Sequence, residues 1–172
     1  PCSQALIDAG IARVVYALDD PNPLVAGKSA ERLRAHGIVV DCGLMQAQAE
    51  ALNPGFLKRM RTGLPHVRVK LAASMDGHTA LKSGESRWIT GEAARADVQR
   101  GRAMSSAVLT GVGTILADDP QLNVRMEGGH RQPLRVILDS NLRMPASARV
   151  INGGHVLVLC AHDEPGRRGA HV

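Results

Sequence analysis

Side chains able to do chemistry gather at three places in this chain. The segment KLAASMDGHTALKSGESRWIT (70–90) carries Lys70, a turn through Asp76 and Gly77, a polar Gly84-Glu85-Ser86 and the only tryptophan, Trp88. Ala72, Ala73 and Ser74 are small enough to let a flat ring approach the backbone and form a slot. The same residues also suit a plainer arrangement, with Lys70 and Ser86 solvated and Trp88 in the core. The segment LTGVGTILADDPQLNVR (109–125) places Gly111 and Gly113 between a strand and a short helix. Such a turn can aim amide groups at a phosphate, although the third glycine of the dinucleotide fingerprint is missing. Asp118, Asp119 and Arg125 follow on a proline-containing loop, where catalytic groups are often displayed; an Asp-Asp-Pro turn beside a solvated arginine accounts for them as well. Arg102 is a candidate anion anchor, or a solvated helix residue. The third place is Pro1-Cys2, just before a helix, whose backbone N–H groups and positive end favour a thiolate and so a metal ligand. A catalytic zinc needs at least three protein ligands, and no histidine or other cysteine lies at ligand spacing from Cys2. A buried cysteine without metal is the plainer account.

The elements that must position these residues alternate between strand and helix. A short helix over 4–9 ends at Gly10, ARVVYAL (12–18) reads as a buried strand, DDPNPLVAG as a loop, 30–36 as a helix stopped by Gly37, and 38–40 as a short strand. Residues 46–60 read as a helix that Pro54 kinks or begins anew. Residues 61–65 are the natural linker. HVRVKLAAS (66–74) alternates at Val67, Val69 and Leu71 and ends in a Met-Asp-Gly turn, as a strand entering a turn should. A helix over 91–104, a strand over 106–109, a turn entering a short helix over 111–117, and strands over 134–138 and 155–160 follow. The architecture expected is α/β, with at least two mostly parallel or mixed sheets covered by helices.

Composition narrows the function. The chain has 172 residues, 44% of them apolar, and a net charge of +5. That suffices for a real core, and no apolar run is long enough to span a membrane. No secretory signal opens the sequence, so the cytosol is the default compartment. Three distant cysteines argue for reduced thiols rather than a disulfide framework. Aromatic residues are only 2%, too few for base stacking on single-stranded nucleic acid. The first 62 residues carry seven basic and six acidic side chains, the remaining 110 fourteen and ten. The surplus therefore lies in the later part, where a phosphorylated ligand would use it. A nucleic-acid-binding module, favoured by the basic pI, and a non-catalytic interaction domain are the readings from other classes. The chain starts at Pro1 and ends after the loop-like stretch 163–169, and reads as a fragment.

PCSQALIDAGIARVV, DPNPLVAGKS, NPGFLKRMRTGLP, KLAASMDGHTALKSGESRWIT and GVGTILADDPQLNVR, in this order, closely resemble the bacterial bifunctional riboflavin-biosynthesis deaminase-reductase family. The resemblance spans essentially the whole chain. It implies that 1–62 are the C-terminal remnant of a cytidine-deaminase-like domain, and that 63–172 are the incomplete first part of a dihydrofolate-reductase-like domain. In the family, a zinc site deaminates a phosphoribosylaminopyrimidine, and the reductase converts the ribosyl group to ribityl with NADPH. Single-function deaminases or reductases of the same pathway, or a non-catalytic nucleotide-binding module, are the alternatives.

Carried over by position, the resemblance makes Cys2 the last zinc ligand; the remainder of that site would precede Pro1, so the fragment should not deaminate. It places Ala72, Trp88, Thr114, Asp118 and Ser140 at NADP-binding positions, and Ser86, Arg102, Leu122 and Arg125 at substrate-binding positions. Lys70 and Asp118 are the candidates to supply or order a proton during reduction. The partner implied is a phosphorylated pyrimidine, with no nucleic acid and no membrane, and a homo-oligomer is left open.

Overall fold

The structure is a computed structural model that describes residues 2–86 and 88–161. The stretch 163–169, read above as loop-like, lies outside the described residues. The chain divides into two compact units, Pro1–Val69 and Lys70–Val172. The division falls a few residues beyond the linker expected at 61–65.

In the first unit, α1 (Cys2–Asp8) precedes β1 (Arg13–Tyr16), α2 (Lys28–Ala35) and β2 (Val39–Cys42). The two strands pair in parallel, with Arg13 opposite Val39 and Tyr16 opposite Cys42. A parallel pair requires a crossover, and α2 supplies it. Its Ala30 and Leu33 are buried with Ile38 and Val40, and Leu6, Ile7, Val14 and Tyr16 pack against them. Pro54 ends one helix and starts another: α3 (Gln46–Leu52) stops before it, and α4 (Pro54–Thr62) takes it in its first turn. Proline has no N–H to donate, which costs nothing at a helix start and a hydrogen bond in the interior. Gly63, at φ 72°, closes α4 with its N–H on the Arg59 carbonyl.

The second unit is built on α5 (Glu92–Ala103), β3 (Ala107–Gly111), α6 (Val112–Asp118), β4 (Leu134–Leu138) and β5 (Val156–Leu159), with a 3-10 turn at Arg149–Ile151. The sheet is parallel throughout, in the order β3-β4-β5. Gly111 pairs with Leu138, and Leu138 with Leu159. One sheet face forms the core: Ile137 is buried with Val112 and Ile115 of α6, Leu122, Ala148 and Val150, while Val108, Val156 and Val158 pack alongside. On the other face Leu109, Leu134, Leu138 and Leu159 stay 38 to 61% exposed.

Arg135 is only 2% exposed. Its Nη1 donates to the carbonyls of Val150 at 2.7 Å and Asn152 at 2.9 Å, and to that of Gln121 at 3.5 Å. Burial lowers its pKa. Carbonyl dipoles accept the Nη1 protons and so make the burial tolerable, while its Nε is buried without a hydrogen-bond partner among the described residues.

The strand expected over 66–74 does not form among the described residues. Val67, Val69 and Leu71 are largely solvent-exposed. Alternation selects a face only once a neighbouring strand supplies the ladder, and none pairs with this segment. The turn after it does form. Gly77, at φ 84°, donates its N–H to the Ser74 carbonyl, and Ser74 donates to the carbonyl of His78. Among the described residues no helix is long and apolar enough to cross a membrane.

Candidate functional site

Helix α5 brings part of the expected site together. Arg95, Gln99 and Arg102 recur at i, i+4 and i+7 and so share one helical face. The Arg95 guanidinium lies 4.5 Å from the centroid of the Trp88 ring. Gln99 accepts the backbone N–H of Arg125 at 3.0 Å. Arg102 donates to the Asn123 carbonyl at 3.2 Å. One face therefore holds the indole at one end and the 119–125 loop at the other. Trp88 is 72% exposed, which excludes the core arrangement that its composition alone allowed.

The loop itself is tightly held. Gln132 reads the Val124 backbone with both ends of its amide, accepting the N–H at 2.8 Å and donating to the carbonyl at 3.1 Å. Leu122 is buried and has φ 55°, a conformation costly for a branched side chain and kept only where surrounding contacts determine it. Asp119 also has positive φ, and its carboxylate accepts the Arg149 N–H at 2.8 Å. Asp118, its neighbour, is exposed on the last turn of α6.

Arg102 and Arg125 are brought together. The Arg102 pKa is lowered, first by burial and then by the positive charge of Arg125. Among the described residues neither arginine is in an ion pair with a carboxylate. Two neighbouring guanidinium groups without a carboxylate partner have the charge and the donors that an anion would need.

Thr114 lies in the first turn of α6, one turn from Asp118, so the two share an exposed face. Ser140 follows the C-terminal end of β4, beside the strand end at Gly111 where α6 begins. The C-terminal ends of parallel strands are where open α/β sheets bind ligands. Ser140 is exposed, and its carbonyl accepts the Ala161 N–H. Its neighbour Asp139 is 1% exposed; one oxygen accepts the Met144 N–H at 2.7 Å and the other is buried without a hydrogen-bond partner among the described residues.

Other expected residues are not brought to this arrangement by any described contact. Lys70 is exposed and Ala72 half-buried on the unpaired segment. Ser86 is half-buried, after a turn closed by the Leu81 N–H on the Glu85 carbonyl. Cys2 belongs to the first unit and is exposed, not buried. Among the described residues no group of three or more metal-ligating side chains could hold a metal ion. Cys2 alone does not make a zinc site. Arg95, Gln99, Gln132 and Asp139 were not singled out from sequence; the only available signal was the spacing of 95, 99 and 102.

Residues 65–169 match the family described as RibD C-terminal domain. The chain is 51% identical over 163 residues to the riboflavin biosynthesis protein RibD of Escherichia coli (strain K12), covering 88% of this chain and 44% of that protein. With the protein of the same name from Bacillus amyloliquefaciens it shares 50% over 154 residues, 90% of this chain and 42% of the other. Among solved structures, Acinetobacter baumannii RibD, form 1, is 50% identical with a TM-score of 0.86, over 95% of this chain and 48% of that one. A Thermotoga maritima structure, titled a diaminohydroxyphosphoribosylaminopyrimidine deaminase/5-amino-6-(5-phosphoribosylamino)uracil reductase, is 37% identical with a TM-score of 0.88, over 95% and 47%. The α/β fold with parallel sheets is thus similar to that of solved RibD structures. The chain spans less than half the length of the relatives it matches.

Proposed function

This chain belongs to the RibD C-terminal domain family, and on that premise we propose that it supplies reductase residues to a cytoplasmic, bifunctional enzyme of riboflavin biosynthesis. The reaction proposed is NADPH-dependent reduction of 5-amino-6-(5-phosphoribosylamino)uracil to its ribitylamino product. Zinc-dependent deamination of the preceding pyrimidine belongs to the same parent protein. Residues 1–62 are assigned to the deaminase domain and 63–172 to the reductase domain. Cys2 is proposed as a ligand in the deaminase, whose other ligands are not found among the described residues.

One observation supports this reading above the rest: Arg102 and Arg125 are tied to the same face of α5, Arg102 through its bond to the Asn123 carbonyl and Arg125 through its N–H on Gln99, and among the described residues neither is in an ion pair with a carboxylate. Such a pair suits a sugar phosphate, which accepts several charge-assisted hydrogen bonds. Leu122, on the same loop and buried in the core, is proposed to give the site an apolar wall, and Ser86 to bond a sugar hydroxyl. The residues proposed for the cofactor fit it in kind: Trp88 offers a flat face, Thr114, Asp118 and Ser140 offer exposed polar groups for ribose hydroxyls and phosphate, and Ala72 leaves room for a ring. When bound, reduced nicotinamide would supply a hydride to the sugar carbon. The chain's task is then to position and exclude water, and to place a proton on the sugar heteroatom through Asp118 or Lys70.

The test is made in the complete two-domain protein, following NADPH absorbance with the phosphoribosylaminouracil. Arg102→Ala and Arg125→Ala should each raise KM roughly 10- to 100-fold, the worth of a lost charge-assisted bond. Unchanged KM in both would overturn the assignment of the anion site. Asp118→Asn with full turnover would remove Asp118 from proton transfer.

A further inference from the structure

An indole that is 72% exposed should rotate freely, yet Trp88 is fixed on one side. The Arg95 guanidinium covers one ring face at 4.5 Å, and its Nη1 donates to the Thr90 carbonyl at 2.7 Å. Arg95 is itself half-buried in the first turn of α5, where its own N–H bonds to the Gly91 carbonyl at 3.1 Å. A planar guanidinium held by a backbone carbonyl is a preorganised partner for a ring, which an exposed lysine would not be. With Arg95 over one face, Trp88 still keeps 72% of its surface exposed. Because α5 carries Gln99 and Arg102 on the same side as Arg95, the height of the indole is set relative to the 119–125 loop.

We propose that Arg95 is a positioning residue that presents Trp88 as a one-sided platform for the pyridine ring and favours its neutral reduced form over the cationic oxidised form. This rests on the reading of Trp88 as a cofactor contact. Two physical effects follow from the stacking. The ring is held ready, so less rotamer freedom is lost on binding. A fixed positive charge behind the indole also repels a second positive charge placed on its other face. Across two stacking distances, roughly 8 Å, in a wet site that repulsion discriminates by about 2- to 5-fold. The neutral reduced ring meets no such penalty, so the oxidised product is released more readily than the reduced cofactor.

Trp88 is the only tryptophan, so its emission reports this site alone. The experiment titrates NADPH and NADP+ separately into the 172-residue chain, reading quenching of tryptophan emission and, with NADPH, energy transfer to the reduced ring. Arg95→Ala should weaken NADPH binding about 2- to 5-fold and abolish the preference for NADPH over NADP+. Arg95→Lys, which keeps a cation, should retain most of that preference. Circular dichroism of both variants checks that they fold, and Arg95→Gln replaces any that does not. Equal weakening of both nucleotides in Arg95→Ala, or no weakening at all, overturns the proposal while leaving Trp88 as a cofactor contact. No response of the unmodified chain to either nucleotide overturns the reading of Trp88, and the proposal with it.

Discussion

Residues 119–125 and residues 66–74 both carry candidate site residues, and the fold treats them in opposite ways. The first stretch has no regular secondary structure, yet Gln99, Arg102, Gln132, Arg135 and the Arg149 N–H all bond to it. The second alternates as a strand should, yet Val67, Val69 and Leu71 are 68, 76 and 79% exposed. A strand is a relation between two segments, so alternation in one of them is only half of the requirement. A loop becomes rigid when side chains from elsewhere satisfy its backbone groups, which no local pattern announces. Arg125 is thus presented on a backbone held by side chains from elsewhere, and Lys70 on an exposed segment outside any strand.

The contrast breaks most visibly at Arg135. Arg135→Met removes the donor shared by the carbonyls of Gln121, Val150 and Asn152. Leaving buried carbonyls unpaired should cost about 3 kcal/mol, read from the urea midpoint of the 172-residue chain. A loss below roughly 1 kcal/mol would mean that water replaces the guanidinium and that the loop is held from α5 instead. Gln132→Leu is the next largest. It deletes two neutral bonds at about 1 kcal/mol each and strands the N–H of Val124. Stability should fall by about 2 kcal/mol and exchange of the Val124 amide should accelerate; an amide that exchanges no faster would show the clamp to be dispensable.

The other half of the contrast calls for a small number. Leu71→Ser in the unpaired segment should change stability by less than about 0.5 kcal/mol, because the side chain is already in water. A cost of 2 kcal/mol or more in the same measurement would place Leu71 in a packed environment and restore the strand.

What was legible in the sequence follows the same division. The strand expected over 134–138 has those bounds, since PLRVIL is an apolar run in a sheet centre, flanked by a proline and an aspartate. Pro54 marked the break between α3 and α4 because its effect is local and steric. The strand after Met104 runs two residues further than expected, to Gly111, because α6 begins directly from it with no turn between. Arg135 was missed: one charge inside an apolar run signals either an edge or a buried anchor, and only the carbonyls of 121, 150 and 152 decide which. The bonds of Gln99 and Gln132 join residues 26 and 8 apart, and glutamine carries no local mark of its eventual partner. Trp88 and the two arginines were legible by type, but their common support on the face of Arg95, Gln99 and Arg102 was not.

The smallest effect lies at the end of the unpaired segment, where one turn is ordered by its own side chains. The Asp76 carboxyl lies below its ordinary value of 3.8, chiefly because the Ser74 hydroxyl donates to it and secondly because His78 does. A lowered folded-state value means that the ionised carboxylate favours the folded turn. Its contribution is fully present above the unfolded value of 3.8 and is lost as pH falls through the lower folded value. Acidification below that point should therefore speed exchange of the Gly77 and His78 amides relative to their intrinsic rates. The Asp76→Asn chain should show no such step, and the global urea midpoint should not respond to this group, which is fully exposed. If the step persisted in Asp76→Asn, Asp76 would not be the group that titrates, and the side-chain anchor of the turn would be the Ser74 hydroxyl alone, which bonds both the carbonyl and the N–H of His78.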